Sequence, residues 1–221
     1  MASSASVSNQ PIARPSARPF KAFALVAVLA VAVYFVAKYV FHYYLHYDQA
    51  TFTDYWPKRG WLLLHISAGM VALLTGPLQF SARLRKRYLK LHRIIGRVYL
   101  IAVALGSIAA FRLAWTTTSG WAWGFGVAML GVAWITTSGM AYYAILRRQM
   151  AIHKEWMVRS YVVTFAFVTF RLLEDMGPTS HLMPENDRSI SAIWACWALP
   201  LLITEVILQL RRISPPAKSR S

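Results

Sequence analysis

Acidic residues are scarce in this sequence. Eight Asp and Glu residues stand against 24 Lys and Arg residues, so the formal net charge is +16. An excess of cations can indicate nucleic-acid binding, but these cations lie in short segments between long apolar runs. That distribution is typical of membrane topology and not of a basic soluble surface. We therefore expect a lipid bilayer as the partner, and no nucleic acid.

The sequence also contains only one cysteine and lacks three common motifs of soluble enzymes. The single cysteine, Cys196, lies in an apolar run, which excludes an intrachain disulfide and a cysteine-rich metal or iron–sulfur site. The sequence contains no nucleotide-binding glycine loop, no His-Glu-x-x-His zinc motif and no Gly-x-Ser-x-Gly nucleophile elbow. Soluble-enzyme chemistry is unsupported, and the residues leave open whether the protein is an enzyme.

Long apolar runs dominate the chain instead. Hydrophobic residues make up 57% of it, in runs of about 20 residues, the length that crosses a hydrocarbon core. The pattern predicts an all-α polytopic membrane protein with one transmembrane domain, residues 20–210, between a disordered arm (1–19) and a disordered tail (211–221). Spans 2–5 are expected to form a core four-helix bundle. The six predicted transmembrane spans are, in chain order, Phe20–Phe41, Trp61–Phe80, Arg93–Trp115, Trp121–Leu146, Glu155–Glu174 and Ile190–Leu210.

The loops between the spans predict the orientation. Lys and Arg concentrate in the arm, in the connections between spans 2 and 3 and between spans 4 and 5, and in the tail. By the positive-inside rule both termini are cytoplasmic, and the protein is integral to the cytoplasmic (inner) membrane. A cleaved signal peptide is the alternative for span 1. Its apolar run continues to Val40, however, which is too long for a typical leader.

The two basic connections resemble one another. Each leads into a histidine, His92 or His153, and each histidine is followed in the same helix by an arginine, Arg97 or Arg159. A parallel internal repeat would bring His92 and His153 to one depth, facing one bundle centre. A chance similarity between two basic loops is the alternative. We predict that the two histidines converge as a pair on the cytoplasmic side, with open space beside His92 at Gly96.

Acidic residues within the spans are candidates for ion pairs. Glu205 lies under two turns from the end of span 6, where an unpaired carboxylate is costly. Arg97 or Arg159 is its expected partner in a buried ion pair, and snorkelling towards the headgroups is the structural alternative. A local ion pair is expected at the outer end of span 5 from residues spaced three and four apart. Its members are Arg171, Glu174 and Asp175.

A third candidate histidine, His65, lies on span 2 near its predicted outer end. It shares a helix face with three small residues, and such a face forms a groove for a flat macrocycle or for a neighbouring helix. These small residues are Gly69, Ala72 and Gly76. The remaining histidines are expected to be solvated or interfacial at the outer loops; they are His42, His46 and His181.

These motifs, taken together, resemble a known family. The sequence combines His65-x-x-x-Gly69, Gly76-Pro77-x-Gln79-Phe80, a basic loop, His92-Arg93-x-x-Gly96-Arg97-x-Tyr99 and His153-x-x-Trp156-Met157-x-Arg159-Ser160. Over spans 2–5 this combination resembles the bacterial membrane family called domain of unknown function 2306, which brings no assigned activity. Its layout is similar to that of di-haem b-type cytochromes, which carry paired histidines on four core helices. Span 4 carries no histidine here, which argues against a second, outer haem.

Two functional hypotheses follow. In the first, His92 and His153 ligate the iron of a haem b from opposite sides, with Arg97 and Arg159 near its propionates. The protein would then transfer electrons in the membrane to a redox partner, and His65 would be a further cofactor-binding candidate. In the second, the protein is a non-redox small transporter or a ligand- or lipid-binding membrane scaffold. Its histidines and arginines would then contact lipid headgroups or an anionic small molecule.

Overall fold

The computed structural model describes residues 18–175 and 184–213. The disorder predicted for residues 1–17 and 214–221, and the expectation for His181, lie outside the described residues. A π-helical segment, Val36–Val40, joins α1 to α2, and a 3-10 helix, Thr53–Lys58, precedes α4. The α-helices are α1 Arg18–Phe35, α2 Phe41–Leu45, α3 Gln49–Phe52, α4 Arg59–Gln79, α5 Ala82–Arg87, α6 Leu89–Trp115, α7 Trp121–Leu146, α8 Met150–Thr164, α9 Ala166–Asp175 and α10 Glu185–Ile213.

The described residues confirm an all-α membrane protein with six spans. They contain no strand, and six of their helical stretches are long and apolar enough to cross a membrane. Some helix ends differ from the prediction. Helices α6 and α8 begin at Leu89 and Met150, so His92 and His153 lie inside their first turns. Helix α10 continues to Ile213, so the first residues of the expected disordered tail are helical.

The predicted four-helix core is built from α4, α6, α7 and α8. Each of these helices contacts two others of the set, so they close into a ring, with α1 packed on α4 and α10 packed on α7, α8 and α9. Buried side chains in the centre include Tyr99, Val103, Trp134 and Met157. We call the end of the bundle that carries α5 and the α7–α8 connection the basic end, and the other end the far end.

A glycine–proline pair controls how α4 packs on α8. Pro77 has no N–H group, so the carbonyl of Leu73 loses its helical partner. The hydroxyl of Tyr161 on α8 donates to that carbonyl at 3.2 Å. A Cβ atom at Gly76 would fall inside the van der Waals envelope of the Tyr161 ring. Gly76 therefore admits the ring that satisfies the backbone group freed by Pro77.

Replacing this glycine tests the packing. Gly76→Ala should destabilise the detergent-solubilised protein by about 1–3 kcal/mol, the usual cost of overpacking a tight contact. Thermal unfolding should show a lower Tm. Gly69→Ala on the same helix is the matched control, because a Cβ atom there has nothing within 4 Å. Equal Tm values for the two variants would contradict this account of the α4–α8 contact.

Candidate functional site

His65 on α4 is held in one orientation by the neighbouring helix. Its Nδ1 atom lies 2.9 Å from the carbonyl oxygen of Gly106 on α6. A carbonyl oxygen can only accept a hydrogen bond, so Nδ1 carries the proton. In the neutral ring, Nε2 is then an unprotonated acceptor. The ring also meets Trp134 edge-on, at 6.5 Å between centroids.

Gly106 makes this arrangement possible in a second way. A Cβ atom at this position would lie 2.8 Å from Cζ3 of Trp134 and 3.3 Å from the Cβ atom of Ala68. The absence of a side chain lets α7 bring Trp134 against the backbone of α6. One residue thus orients the imidazole through its carbonyl and admits the indole through its missing side chain.

An apolar cavity of about 210 Å³ lies beside His65, in the far half of the bundle. Its wall is formed by residues of α4, α6, α7, α8, α9 and α10, of the π-helical segment and of the 3-10 helix. Aliphatic and aromatic side chains dominate the wall, and within the described ranges it includes no Asp, Glu, Lys or Arg. The side chains with polar atoms at its wall are His65, Tyr55, Trp123, Trp134, Thr164 and Cys196.

The small-residue face of α4 is divided between a cavity wall and a helix-packing surface. Gly69 lines the cavity, and a Cβ atom there would meet no other atom within 4 Å. Ala72 is fully buried in the core, and Gly76 packs on Tyr161. The face is therefore a groove beside His65 and a helix-packing surface nearer the basic end.

Below the cavity, a cluster of hydroxyl groups joins three core helices. Trp134 Nε1 donates to Thr164 Oγ1 at 2.8 Å, and Thr164 donates its own hydrogen to the Ser160 carbonyl at 2.9 Å. The hydroxyl of Tyr99 lies 2.8 Å from Thr164 Oγ1 and 2.6 Å from Ser160 Oγ, which also meets Ser138 Oγ at 2.6 Å. These buried groups satisfy one another, as polar groups in an apolar medium must.

The sequence reasoning missed this cluster, although a signal for it was present. Ser160 and Thr164 are four residues apart on α8, and Trp134 and Ser138 are four apart on α7. Polar pairs at that spacing share one helix face. Within an apolar span such a face is expected to point at another helix.

His153 and His92 enter the bundle at the basic end. Nδ1 of His153 donates to the Ala141 carbonyl at 2.8 Å, which leaves Nε2 as an acceptor. His92 contacts Gln79. In the amide orientation that satisfies both groups, the Gln79 oxygen accepts from Gly96 N–H at 3.2 Å and its nitrogen donates to Nδ1 of His92 at 3.1 Å.

The open space predicted beside Gly96 is absent. The side chain of Gln79 occupies it, because the buried amide bonds the backbone of α6 there. His92 and His153 lie close enough for their charges to interact. Nδ1 of each ring is engaged by a protein group, the Ala141 carbonyl for His153 and the Gln79 amide for His92.

Glu205 is paired with Arg159 and not with Arg97. Its carboxylate accepts from Nε and Nη2 of Arg159 at 2.8 and 2.5 Å, whereas Arg97 is exposed. The pair is half buried rather than buried, since the Glu205 side chain is 41% exposed against 9% for Arg159. Glu155 lies 3.7 Å from Arg159 and also pairs with Arg212. Alternating charges thus connect α8 to the end of α10.

The local ion pair predicted at the outer end of span 5 is wrong. Asp175 pairs with Lys38 of the π-helical segment at 3.0 Å, and it also accepts from the hydroxyl of Tyr39. Glu174 accepts from the Ser189 hydroxyl. Arg171 lies over the ring of Tyr39 at 5.1 Å. His42 and His46 are exposed.

Fold and site together define a polytopic α-helical membrane protein with an apolar cavity between its core helices. The chain belongs to the family described as "Predicted membrane protein (DUF2306)", whose profile matches residues 62–208. The match runs from α4 into α10 and confirms the resemblance drawn from the motifs. No curated protein and no solved structure matches the chain.

The choice of Arg159 over Arg97 can be tested with a double-mutant cycle. Glu205→Gln should lower the free energy of unfolding by about 0.5–1 kcal/mol, because it removes the charge from a pair that is partly exposed and therefore partly screened. Combined with Arg159→Leu, the loss should be smaller than the sum of the two single losses. Arg97→Leu is the control and should add to Glu205→Gln without coupling. Additivity with Arg159, or coupling with Arg97, would overturn the assignment.

Proposed function

We propose that the protein binds a small, uncharged, lipophilic molecule in the far-half cavity, with His65 as its main polar anchor. The observation that carries the proposal is the composition of the wall. It combines aliphatic and aromatic side chains with one oriented imidazole, and no acidic or basic residue of the described ranges contributes to it. A small-molecule site of this kind is mostly apolar, with a few placed polar groups that fix orientation.

The dimensions support a ligand of one or two rings. A cavity of about 150 Å³ lined by aliphatic and aromatic side chains binds benzene, and this one measures about 210 Å³. The cavity lies between spans, so an apolar ligand can partition into it from the bilayer. A charged ligand would lose its hydration without a compensating charge in the wall.

The haem hypothesis stays a prediction, with weaker support. The side chain of Gln79 lies against Gly96, in space that a macrocycle beside His92 would need. Arg159 is already engaged by Glu205. At the cavity, His65 has no second histidine opposite it and no cation for a propionate among the lining residues of the described chain. Binding of an uncharged ligand agrees better with the geometry. It shares the non-redox character of the second sequence-based hypothesis but replaces the lipid headgroups or anionic molecule expected there, because the wall has no cation from the described residues.

The orientation also belongs to this proposal. We infer from the distribution of Lys and Arg that the basic end faces the cytoplasm in the inner membrane. The cavity then lies in the outer half of the bilayer. Trp115 and Trp121 are strongly exposed at the far end, where tryptophan side chains are favoured at a membrane interface.

Filling the cavity from Gly69 tests the function. Gly69→Leu places a side chain in open space on the cavity wall, so the protein should fold but lose ligand binding. Equilibrium dialysis with radiolabelled naphthalene should show one site per unmodified protein chain, above the micelle background. The matched control is Gly139→Leu, which adds the same side chain at an exposed position on α7 and should bind normally. Equal uptake by the unmodified protein and Gly69→Leu would refute the proposal.

The haem hypothesis has its own spectroscopic test. It predicts that protein purified from haem-replete cells shows a Soret band, and that His92→Ala and His153→Ala each abolish it. His42→Ala, an exposed histidine, is the control and should leave the band unchanged. The cavity proposal predicts that naphthalene uptake survives both His92→Ala and His153→Ala. A colourless protein would remove the haem hypothesis.

A further inference from the structure

We infer that the ligand of the cavity is a lipophilic alcohol or phenol, whose hydroxyl group donates a hydrogen bond to Nε2 of His65. This inference rests on the proposed function and names the class of molecule that the site selects. It follows from three features of the wall: the orientation of His65, the state of the other polar groups, and the aromatic side chains.

The first feature is the fixed tautomer of His65. Because the Gly106 carbonyl takes the proton of Nδ1, Nε2 has a lone pair and no hydrogen. Within the described part of the chain Nε2 makes no hydrogen bond. A positively charged ring is unfavourable here, since the wall supplies no carboxylate from those residues. The ring is therefore neutral, and its Nε2 atom can accept a hydrogen bond from a ligand.

The second feature is that the hydroxyl cluster offers little else to a ligand. Trp134 Nε1–H already donates to Thr164 Oγ1, and the hydroxyl of Thr164 already donates to the Ser160 carbonyl. Tyr55 can donate or accept, so its phenol does not discriminate between ligand classes. The indole N–H of Trp123, also at the wall, can donate equally to a hydroxyl, an ether or a ketone oxygen. Nε2 of His65 can only accept a hydrogen bond, so it distinguishes ligands that donate one from ligands that do not. A ligand hydroxyl satisfies Nε2, whereas an ether, a ketone or a hydrocarbon leaves it unpaired in an apolar site.

The third feature is the shape of the surrounding side chains. Trp123, Trp134, Phe167 and Phe170 all contribute to the cavity wall. Aromatic side chains favour stacked or edge-on contacts with a planar ring. Gly69 leaves one face of the cavity free of side chains, because a Cβ atom there would meet no other atom within 4 Å. The cavity is therefore suited to a ring that carries one hydroxyl group.

Three probes of nearly equal shape test the inference: 1-naphthol, 1-methoxynaphthalene and naphthalene. Dialysis should show that 1-naphthol binds the unmodified protein about tenfold more tightly than 1-methoxynaphthalene, after correction for uptake by Gly69→Leu. A donor matched to a buried acceptor accounts for a difference of that order. The ether retains the ring and the oxygen but lacks the hydrogen, so it isolates the donor.

A variant then assigns the preference to His65. In His65→Leu the affinity for 1-naphthol should fall about tenfold, to that of the ether, while naphthalene still binds. His42→Leu, at an exposed histidine, should keep the full preference. Equal binding of 1-naphthol and 1-methoxynaphthalene by the unmodified protein would overturn the inference and leave intact the proposal that the cavity binds a lipophilic molecule. A naphthol preference that survives His65→Leu would overturn the inference and the role of His65 as the polar anchor, and would leave binding in the cavity intact. Failure of all three probes to bind would overturn both proposals.

Discussion

The hydrogen bond from His65 to the carbonyl of Gly106 is the interaction on which the arrangement of the core depends. It joins α4 to α6 and orients the imidazole. The same glycine lets Trp134 of α7 approach, and Trp134 in turn donates to Thr164 of α8. One continuous series of contacts therefore links all four core helices at the base of the cavity.

The surrounding medium explains why these contacts matter. Lipid offers no hydrophobic driving force for helix association, so small residues and hydroxyl groups hold transmembrane helices together. Towards the basic end, Ala72 and Gly76 bring α4 close to its neighbours. In the far half, Gly69 faces open space. Along this one face of α4, the small residues thus change from tightly packed at the basic end to unpacked in the far half, where the cavity lies.

The sequence predicted the elements of this structure better than their partnerships. Apolar length identified the six spans, because the bilayer imposes it on each helix separately. Helical spacing placed His65 on the face with Gly69.

The spacing rule failed at Asp175, which pairs with Lys38 of a distant segment rather than with a residue one turn away. It also could not choose Arg159 over Arg97, because that choice depends on which side of α8 meets α10. Gln79 filled a space that the sequence suggested was open, since a buried amide must find partners.

The protonation of His65 tests the central claim most directly. Nitrogen NMR of protein labelled with ¹⁵N at histidine reports which ring nitrogen carries the proton, and the His65 signals can be assigned as those missing from His65→Leu. The structure predicts a neutral ring with the proton on Nδ1 and an unprotonated Nε2. Two results would contradict the account: a neutral ring with its proton on Nε2, or a charged ring with a proton on each nitrogen.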